Sequence, residues 1–393
     1  MTGQEAVNFI HERAWTGRKP GLSRTFTLLE RLGSPHEKLK FIHITGTNGK
    51  GSTAAMVSSI LTQAGLRTGL YTSPHLWTFH ERFQVDGAPI SDAMLGELGE
   101  LVIKAGEGME DPPTEFELMT ALGLEFFLRM KCDIVVLEVG LGGRLDSTNV
   151  IPAPEAAVIT NIGLEHTQEL GNSRTLIAQE KSGIIKKGCS TVLYHQSGEV
   201  EDVVKEVCRQ MKSPLTVTAP QTLEVLESNR DGQTFRYRGK GPYHISLLGP
   251  HQLYNAMTAL DTIWTLSHRG WKIEEQAVVQ GLENAVWPAR LELVHRNPDI
   301  LLDGGHNPQC MAALHDALEE LYPGKKMIFL TGVLGDKDYP DMINKILPLA
   351  KSFVTITPDS PRALSAQELA DYLHGLGVQA DACETTEQGI KQA

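Results

Sequence analysis

The residues best placed for chemistry lie at positions 41–55, FIHITGTNGKGSTAA. Phe41, Ile42 and Ile44 form the short apolar run of a buried strand, and from Ser52 the pattern turns helical. Between them run Gly46, Thr47, Asn48, Gly49, Lys50 and Gly51. Glycines let the backbone approach a ligand closely, and a helix N-terminus offers unpaired N–H groups and a positive dipole end to an anion. Lys50 adds a point charge, and Ser52 or Thr53 adds a hydroxyl able to ligate magnesium. The stretch reads as a phosphate cradle. Its spacing departs from the ordinary Walker pattern, because two residues separate Gly46 from Gly49 and Gly51 intervenes between Lys50 and Ser52. A generic kinase or GTPase loop fits poorly; the plain alternative is a glycine-rich turn carrying a surface lysine.

Three more groups fall just past predicted strands. Ser73 follows the strand 66–72, Glu138 ends the nearly continuous apolar run 133–139, and His166 lies beyond the strand 156–160. In open α/β sheets ligands gather at the carboxyl ends of strands, so the three converge on the end that carries the phosphate loop. A hydroxyl, a carboxylate and an imidazole beside phosphates suit magnesium, although imidazole is an unusual ligand for so hard an ion. Taken singly, each also has an ordinary structural reading as a turn residue, an N–H acceptor or a surface group.

The elements that position these groups alternate. Helices are expected at 52–63, 91–104, 114–130, 173–186 and 253–268, with strands between them, and two helices before Gly33 flank the polar stretch 16–23. This predicts a mostly parallel sheet with helices on both faces. Residues 215–248 are richer in β-type residues and read as an antiparallel excursion. Strands at 299–302, 326–331 and 353–357 alternate with helices at 307–321, 339–350 and 366–376. The fold expected is thus α/β: a P-loop ATPase-like N-terminal domain, 1–290, and a smaller Rossmann-like domain, 291–393, with the hinge near 287–294. A chain of 393 residues is long enough for both cores. Its net charge of −12 argues against a general nucleic-acid surface. The five scattered cysteines lack a CxxC pair, which points to reduced cytosol without a disulfide framework or zinc site. Neither a signal peptide nor a membrane-length apolar run is expected, so the reading is a cytoplasmic protein without a membrane partner.

The loop GTNGKGST resembles that of the ATP-dependent amide ligases, which include the muramyl peptide ligases and folylpolyglutamate synthase. YTSPHL, LEVGLGGRLDSTN and NIGLEHTQELG are similar to segments of the folylpolyglutamate synthase family, often bifunctional with dihydrofolate synthase, and the resemblance runs over nearly the whole chain. It implies an ATP-dependent ligase that joins L-glutamate to a folate, or to dihydropteroate, through an acyl phosphate. It implies Ser73, Glu138 and His166 as magnesium ligands, Asn255 at the adenine, Arg290 at the terminal phosphate, Asp303 at the ribose and His306 near the reacting groups. Phe116 and Asp146 take positions the family uses for the pterin, where a flat heteroaromatic wants a stacking face and a hydrogen-bonding carboxylate. Residues 16–23 fall where the family borders its folate pocket.

EKSGI resembles the family's carbamylated-lysine stretch and implies a carbamate at Lys181. Physically, an ammonium beside magnesium, Lys50 and Arg290 is repelled, and the neutral amine that results is the form that reacts with carbon dioxide. Family members continue past residue 393 with a segment that helps hold glutamate, so a shortened chain or an incomplete glutamate site is expected. The rival readings are a muramyl peptide ligase and a P-loop GTPase or nucleotide-gated binding protein; no NKxD guanine signature supports the GTPase. A monomer is expected. With Lys50 on one side of the hinge and Asp303 and His306 on the other, turnover is expected to need hinge motion.

Overall fold

The computed structural model describes residues 1–12, 20–196 and 198–393. Residues 16–19 of the polar stretch 16–23 lie outside the described residues. The chain divides into two compact units: unit 1 comprises Met1–Glu227, Gln233–Ser246 and Gln252–Trp287, and unit 2 comprises Ser228–Gly232, Leu247–His251 and Pro288–Ala393.

Unit 1 is built on β1 (Phe41–Thr45), β2 (Thr68–Tyr71), β3 (Phe83–Val85), β4 (Ala88–Pro89), β5 (Ile134–Glu138), β6 (Ala156–Ile159), β7 (Ser190–Leu193) and β8 (Leu215–Val217). These form one sheet in the order β4-β3-β2-β5-β1-β6-β7-β8. The six strands from β2 to β8 in that order run parallel, while β3 and β4 close one edge antiparallel. All five residues of β1 and all five of β5 are buried, which explains their apolar runs: helices cover both faces of a parallel sheet. The chain passes from β1 to β2 on one side of β1 and from β5 to β6 across to the other. The carboxyl end of β1 is therefore a topological switch point, with the loops after β5 and β6 on either side.

Side-chain caps hold the helices that frame this end. Thr114 and Glu117 make a reciprocal capping box for Glu115–Arg129, and the Ser173 hydroxyl accepts from Leu176 N–H to start Arg174–Ser182. The latter helix stops at Ser182, four residues short of the expected end, where Asn149 takes the Gly183 carbonyl and Arg144 packs against Gly183. The Gly198–Met211 and Glu275–Glu283 helices were not anticipated.

The excursion expected over 215–248 is smaller than its composition suggests. Leu215–Val217 is the parallel edge strand β8, and a separate sheet is formed by β9 (Leu223–Asn229), β10 (Gly232–Tyr237) and β11 (Lys240–Ile245). Unit 2 contains an antiparallel hairpin, β12 (Glu292–His295) with β13 (Ile300–Leu302), and a parallel sheet of β14 (Met327–Thr331), β15 (Ala350–Ile356) and β16 (Ala380–Cys383). The short strand β16 had no counterpart in the sequence reading. Leu248 packs with Leu291, Ala317 and Leu318, which draws the segment 247–251 into unit 2. The long C-terminal stretch of unit 2 begins at Pro288, so Arg290 lies in unit 2.

Candidate functional site

The glycine loop leaves β1 at Gly46 and enters the Lys50–Gln63 helix through Gly49, whose φ of 84° is left-handed. A Cβ on Gly49 would also strike the Asn255 side chain, so both backbone and space demand glycine there. Residues after β6 hold the loop open. Thr47 N–H donates to Asn161 O at 2.7 Å, the Thr160 hydroxyl donates to Asn48 O at 2.8 Å, and Gly163 N–H donates to the Thr47 hydroxyl at 3.0 Å. Ser52 is buried in the first turn of the helix, and Gly51 lies under Trp287, whose ring carbon would stand 2.6 Å from an added Cβ. The loop thus presents backbone N–H groups in a fixed curve, as an anion cradle requires.

Two lysines meet at this cradle. Lys50 Nζ donates to Gly46 O at 3.2 Å and Thr47 O at 3.1 Å, folding its charge back over the loop. Lys181 Nζ donates to the same Gly46 oxygen at 2.7 Å, although 135 residues separate them in sequence. The Ser173-capped helix aims it there, with Ile177, Ala178, Lys181 and Ser182 forming the buried face at helical spacing. Lys181 is only 3% exposed. Burial and then the nearby Lys50 charge pull its pKa down to about 7.

Glu138 ends β5, Ser73 lies two residues past the end of the adjacent strand β2, and Ser73 N–H donates to Glu138 Oε2 at 3.2 Å. The structure brings these two residues together. His166 stands in the left-handed region with φ 51° at the start of a single helical turn, with a side chain 42% exposed and ring nitrogens 3.9 Å from Glu165 and 4.0 Å from Glu169. Among the described residues, no group of three His, Cys, Asp or Glu side chains forms a metal cluster by itself. A hydroxyl and a carboxylate side by side are hard oxygen donors suited to magnesium, with phosphate and water oxygens completing the shell.

Phe116 sits half-buried on the Glu115–Arg129 helix with its ring edge against the backbone of Gly140, where a Cβ would collide, and its centroid lies 6.2 Å from that of Tyr71. Asp146 is buried after β5. Its carboxylate accepts from Leu141 N–H at 2.8 Å, Thr148 N–H at 3.0 Å and the Thr148 hydroxyl at 2.5 Å. Burial pushes its pKa up against these bonds. His43, fully buried on β1, donates from Nε2 to the Thr148 oxygen at 2.9 Å, since the hydroxyl proton is directed at Asp146. Burial lowers the His43 pKa to about 3, so the ring is neutral.

In unit 2, Asp303 follows β13 and accepts from Leu291 N–H at 2.9 Å and Gly305 N–H at 2.8 Å. Arg290 donates to Ala289 O at 2.9 Å and lies close over Gly304, and the exposed His306 has Nδ1 at 3.0 Å from Gly304 O. Arg290 and His306 both lie against Gly304, the residue after Asp303. Both Asp303 oxygens already accept these backbone N–H groups, leaving their remaining lone pairs for a ligand.

Sequence reasoning missed Thr160, Asn161 and Gly163 as builders of the loop, although NIG was in view as the approach to His166. It also left Arg82 without a role; that residue is 8% exposed and has its Nε–H on His75 Nδ1 at 2.9 Å.

Known proteins resemble this chain over most of its length. The Mur ligase middle domain matches residues 44–263, and the Mur ligase glutamate ligase domain matches residues 289–393. A dihydrofolate synthase/folylpolyglutamate synthase of Bacillus subtilis is 36% identical over 379 residues, covering 94% of this chain and 88% of that protein. A Mycobacterium tuberculosis folylpolyglutamate synthase complexed with ADP superposes with a TM-score of 0.91 at 30% identity, covering 100% of this chain and 90% of that one. An FPGS–AMPPCP–folate complex gives 0.84 at 33% identity, covering 97% and 96%. A phosphate loop at the switch point, two lysines on its first carbonyl and these full-length matches lead to one assignment: the chain belongs to the folylpolyglutamate synthase/dihydrofolate synthase family of Mur ligases.

Proposed function

We propose that this chain is an ATP-dependent ligase that joins L-glutamate to a folate and also accepts dihydropteroate. The observation that carries the reading is the convergence of Lys50 and Lys181 on Gly46 O, at a switch point where Glu138 ends β5 and Ser73 follows the adjacent β2. A carboxylate is a poor acyl donor, so it first attacks the terminal phosphorus of ATP, and the bond from that phosphorus to the bridging oxygen breaks as ADP leaves. The amine of glutamate then attacks the acyl phosphate and expels inorganic phosphate.

Asn48, Gly49, Gly51 and Ser52 hold the phosphates through backbone N–H groups, Thr47 shapes the loop with its own N–H on Asn161 O, and Lys50 balances the phosphate charge. Asn255, against Gly49, meets the nucleotide base. Ser73 and Glu138 would hold magnesium, with His166 as a third, softer donor, and the ion would supply neutralisation of the developing phosphoryl charge. Phe116 gives the pterin a stacking face, and Asp146 gives it a carboxylate already oriented by Thr148 and His43. Arg290 serves phosphoryl charge, Asp303 the ribose and His306 the reacting groups.

Lys181 acts as a carbamate in this reading. With a pKa of about 7, roughly half of it is the free amine near neutral pH. That amine attacks carbon dioxide, an N–C bond forms as one C=O π bond opens and one proton leaves, so that an oxygen-bearing anion replaces the lysine's positive charge beside the glycine loop.

The test incubates the protein with ATP, magnesium and glutamate, with either dihydropteroate or a reduced folate, and reads ADP, phosphate and product mass. A gain of one glutamyl unit per ADP is expected; no stimulation by either acceptor sinks the reading.

A further inference from the structure

Unit 1 buries two arginines with opposite fates. Arg24, 7% exposed, is paired with Glu117 and with Asp111, each at 2.9 Å, and its pKa is raised. Arg82 is 8% exposed yet has no carboxylate at ion-pairing distance among the described residues, and burial pulls its pKa down. The nearby acids are committed elsewhere. Glu115 takes His11 at 2.8 Å, Glu138 accepts from Ser73, and Glu81 accepts from the N–H groups of Leu76, Trp77 and Thr78. A buried guanidinium without a hydrogen-bonded carboxylate is unfavourable, and the charges of Glu115, Glu138 and Glu81 offset it only at longer range, so a carboxylate from outside can complete its pairing.

The side chain is aimed rather than loose. His75 accepts its Nε–H at 2.9 Å, the Phe79 ring lies 5.5 Å from its guanidinium carbon, and Arg82 O accepts from Thr72 N–H beside Ser73. With Nε engaged, the two terminal nitrogens remain as a fork for a carboxylate. Phe79 continues through Phe83 and Tyr71, by ring contacts of 5.7, 5.6 and 6.2 Å, to Phe116. The guanidinium therefore lies at the far end of a row of core rings whose other end is Phe116, the ring assigned to the pterin. Arg82 leads into β3, and β2 and β5 separate β3 from the phosphate-loop strand β1. At about 4.8 Å per strand, roughly 14 Å lies between their backbones. The carboxylate under activation must sit at the loop, so the partner of Arg82 is a second one.

We propose that Arg82 binds the carboxylate of a folate that is not being activated, the α-carboxylate of its terminal glutamyl unit, and so separates folates from single-carboxylate acceptors such as dihydropteroate. This rests on the folate reading above. The test measures Kd for tetrahydrofolate and for its α-carboxamide, in the wild type and in Arg82→Met and Arg82→Lys, with thermal melts confirming folded protein. A charge-assisted hydrogen-bonded pair corresponds to roughly 10–100-fold in affinity. The wild type should prefer the acid over the amide by that factor, Arg82→Met should bind both equally, and Arg82→Lys should restore part of the preference. Dihydropteroate affinity should stay within about two-fold throughout. Equal binding of acid and amide by the wild type overturns the proposal even if Arg82→Met does not fold, and so does a preference that survives in Arg82→Met. Failure of the wild type to bind any pterin acid instead removes the functional reading beneath it.

Discussion

Lys181→Met should make the protein more stable and less active, and the gain should depend on pH in a defined direction. Lys181 is 3% exposed and its pKa falls to about 7 from the model-peptide value of 10.5. Between these two values the unfolded chain holds more protons than the folded one, so wild-type stability rises with pH across the window. The penalty is complete below about pH 7 and gone above 10.5. A gap of 3.5 units, 10.5 minus 7, at about 1.36 kcal/mol per unit gives a full cost near 5 kcal/mol and roughly 4 kcal/mol at pH 7. Methionine keeps the apolar stem and loses the bond to Gly46 O, worth about 1 kcal/mol. The net expectation at pH 7 is a stabilisation of about 2–3 kcal/mol, a rise in Tm on the order of 5 °C. Urea unfolding in CO2-free buffer at several pH values from 7 to 10.5 reads it directly. The difference between variant and wild type should shrink steadily as pH rises, and added bicarbonate should narrow it at fixed pH by stabilising wild type alone. Ligase turnover should fall by about 100-fold or more, as when a charge-stabilising group is removed. A variant less stable than wild type at pH 7, or a difference that does not change between pH 7 and 10.5, refutes the argument.

Asp146→Asn removes a charged acceptor bonded to Leu141 and Thr148 and should cost about 1–3 kcal/mol in thermal denaturation, with KM for the pterin substrate raised more than KM for ATP. His43, with a folded pKa of about 3 against 6.5, favours the folded state above pH 6.5 and loses that contribution as pH falls toward 3. His43→Gln should retain a neutral hydrogen bond and move the acid-unfolding midpoint to lower pH; an unmoved midpoint contradicts the burial argument. Gly49→Ala places a side chain at φ 84° and against Asn255, and calorimetry should show ATP affinity reduced more than about 10-fold with the remaining fold intact. Chelation should abolish ADP release and added magnesium should restore it, with Ser73→Ala needing about 10-fold more of the ion; activity that persists in chelator argues against a Ser73–Glu138 metal site.

What the sequence determined by itself is local. The glycine spacing, the apolar runs of β1 and β5 and the caps at Thr114 and Ser173 set the loop, the strands and the helix starts, because backbone conformation and side-chain-to-backbone bonds act over a few residues. The end of the sheet that carries Ser73 and Glu138 was legible for the same reason, since a strand's direction fixes which end its last residue occupies. Tertiary structure decided which charges are paired. The resemblance of EKSGI put Lys181 beside Lys50, but only packing shows its bond to Gly46 O, or that Arg24 pairs with Glu117 while Arg82, equally buried, has no carboxylate at ion-pairing distance among the described residues. Tertiary structure also decided that residues 247–251 leave unit 1 for unit 2, where Leu248 meets Leu291 and Ala317. Desolvation and ion pairing depend on neighbours brought together by packing, and hydrophobic burial has no preference for neighbours in sequence; those terms take their values only when the sheet and its helices close.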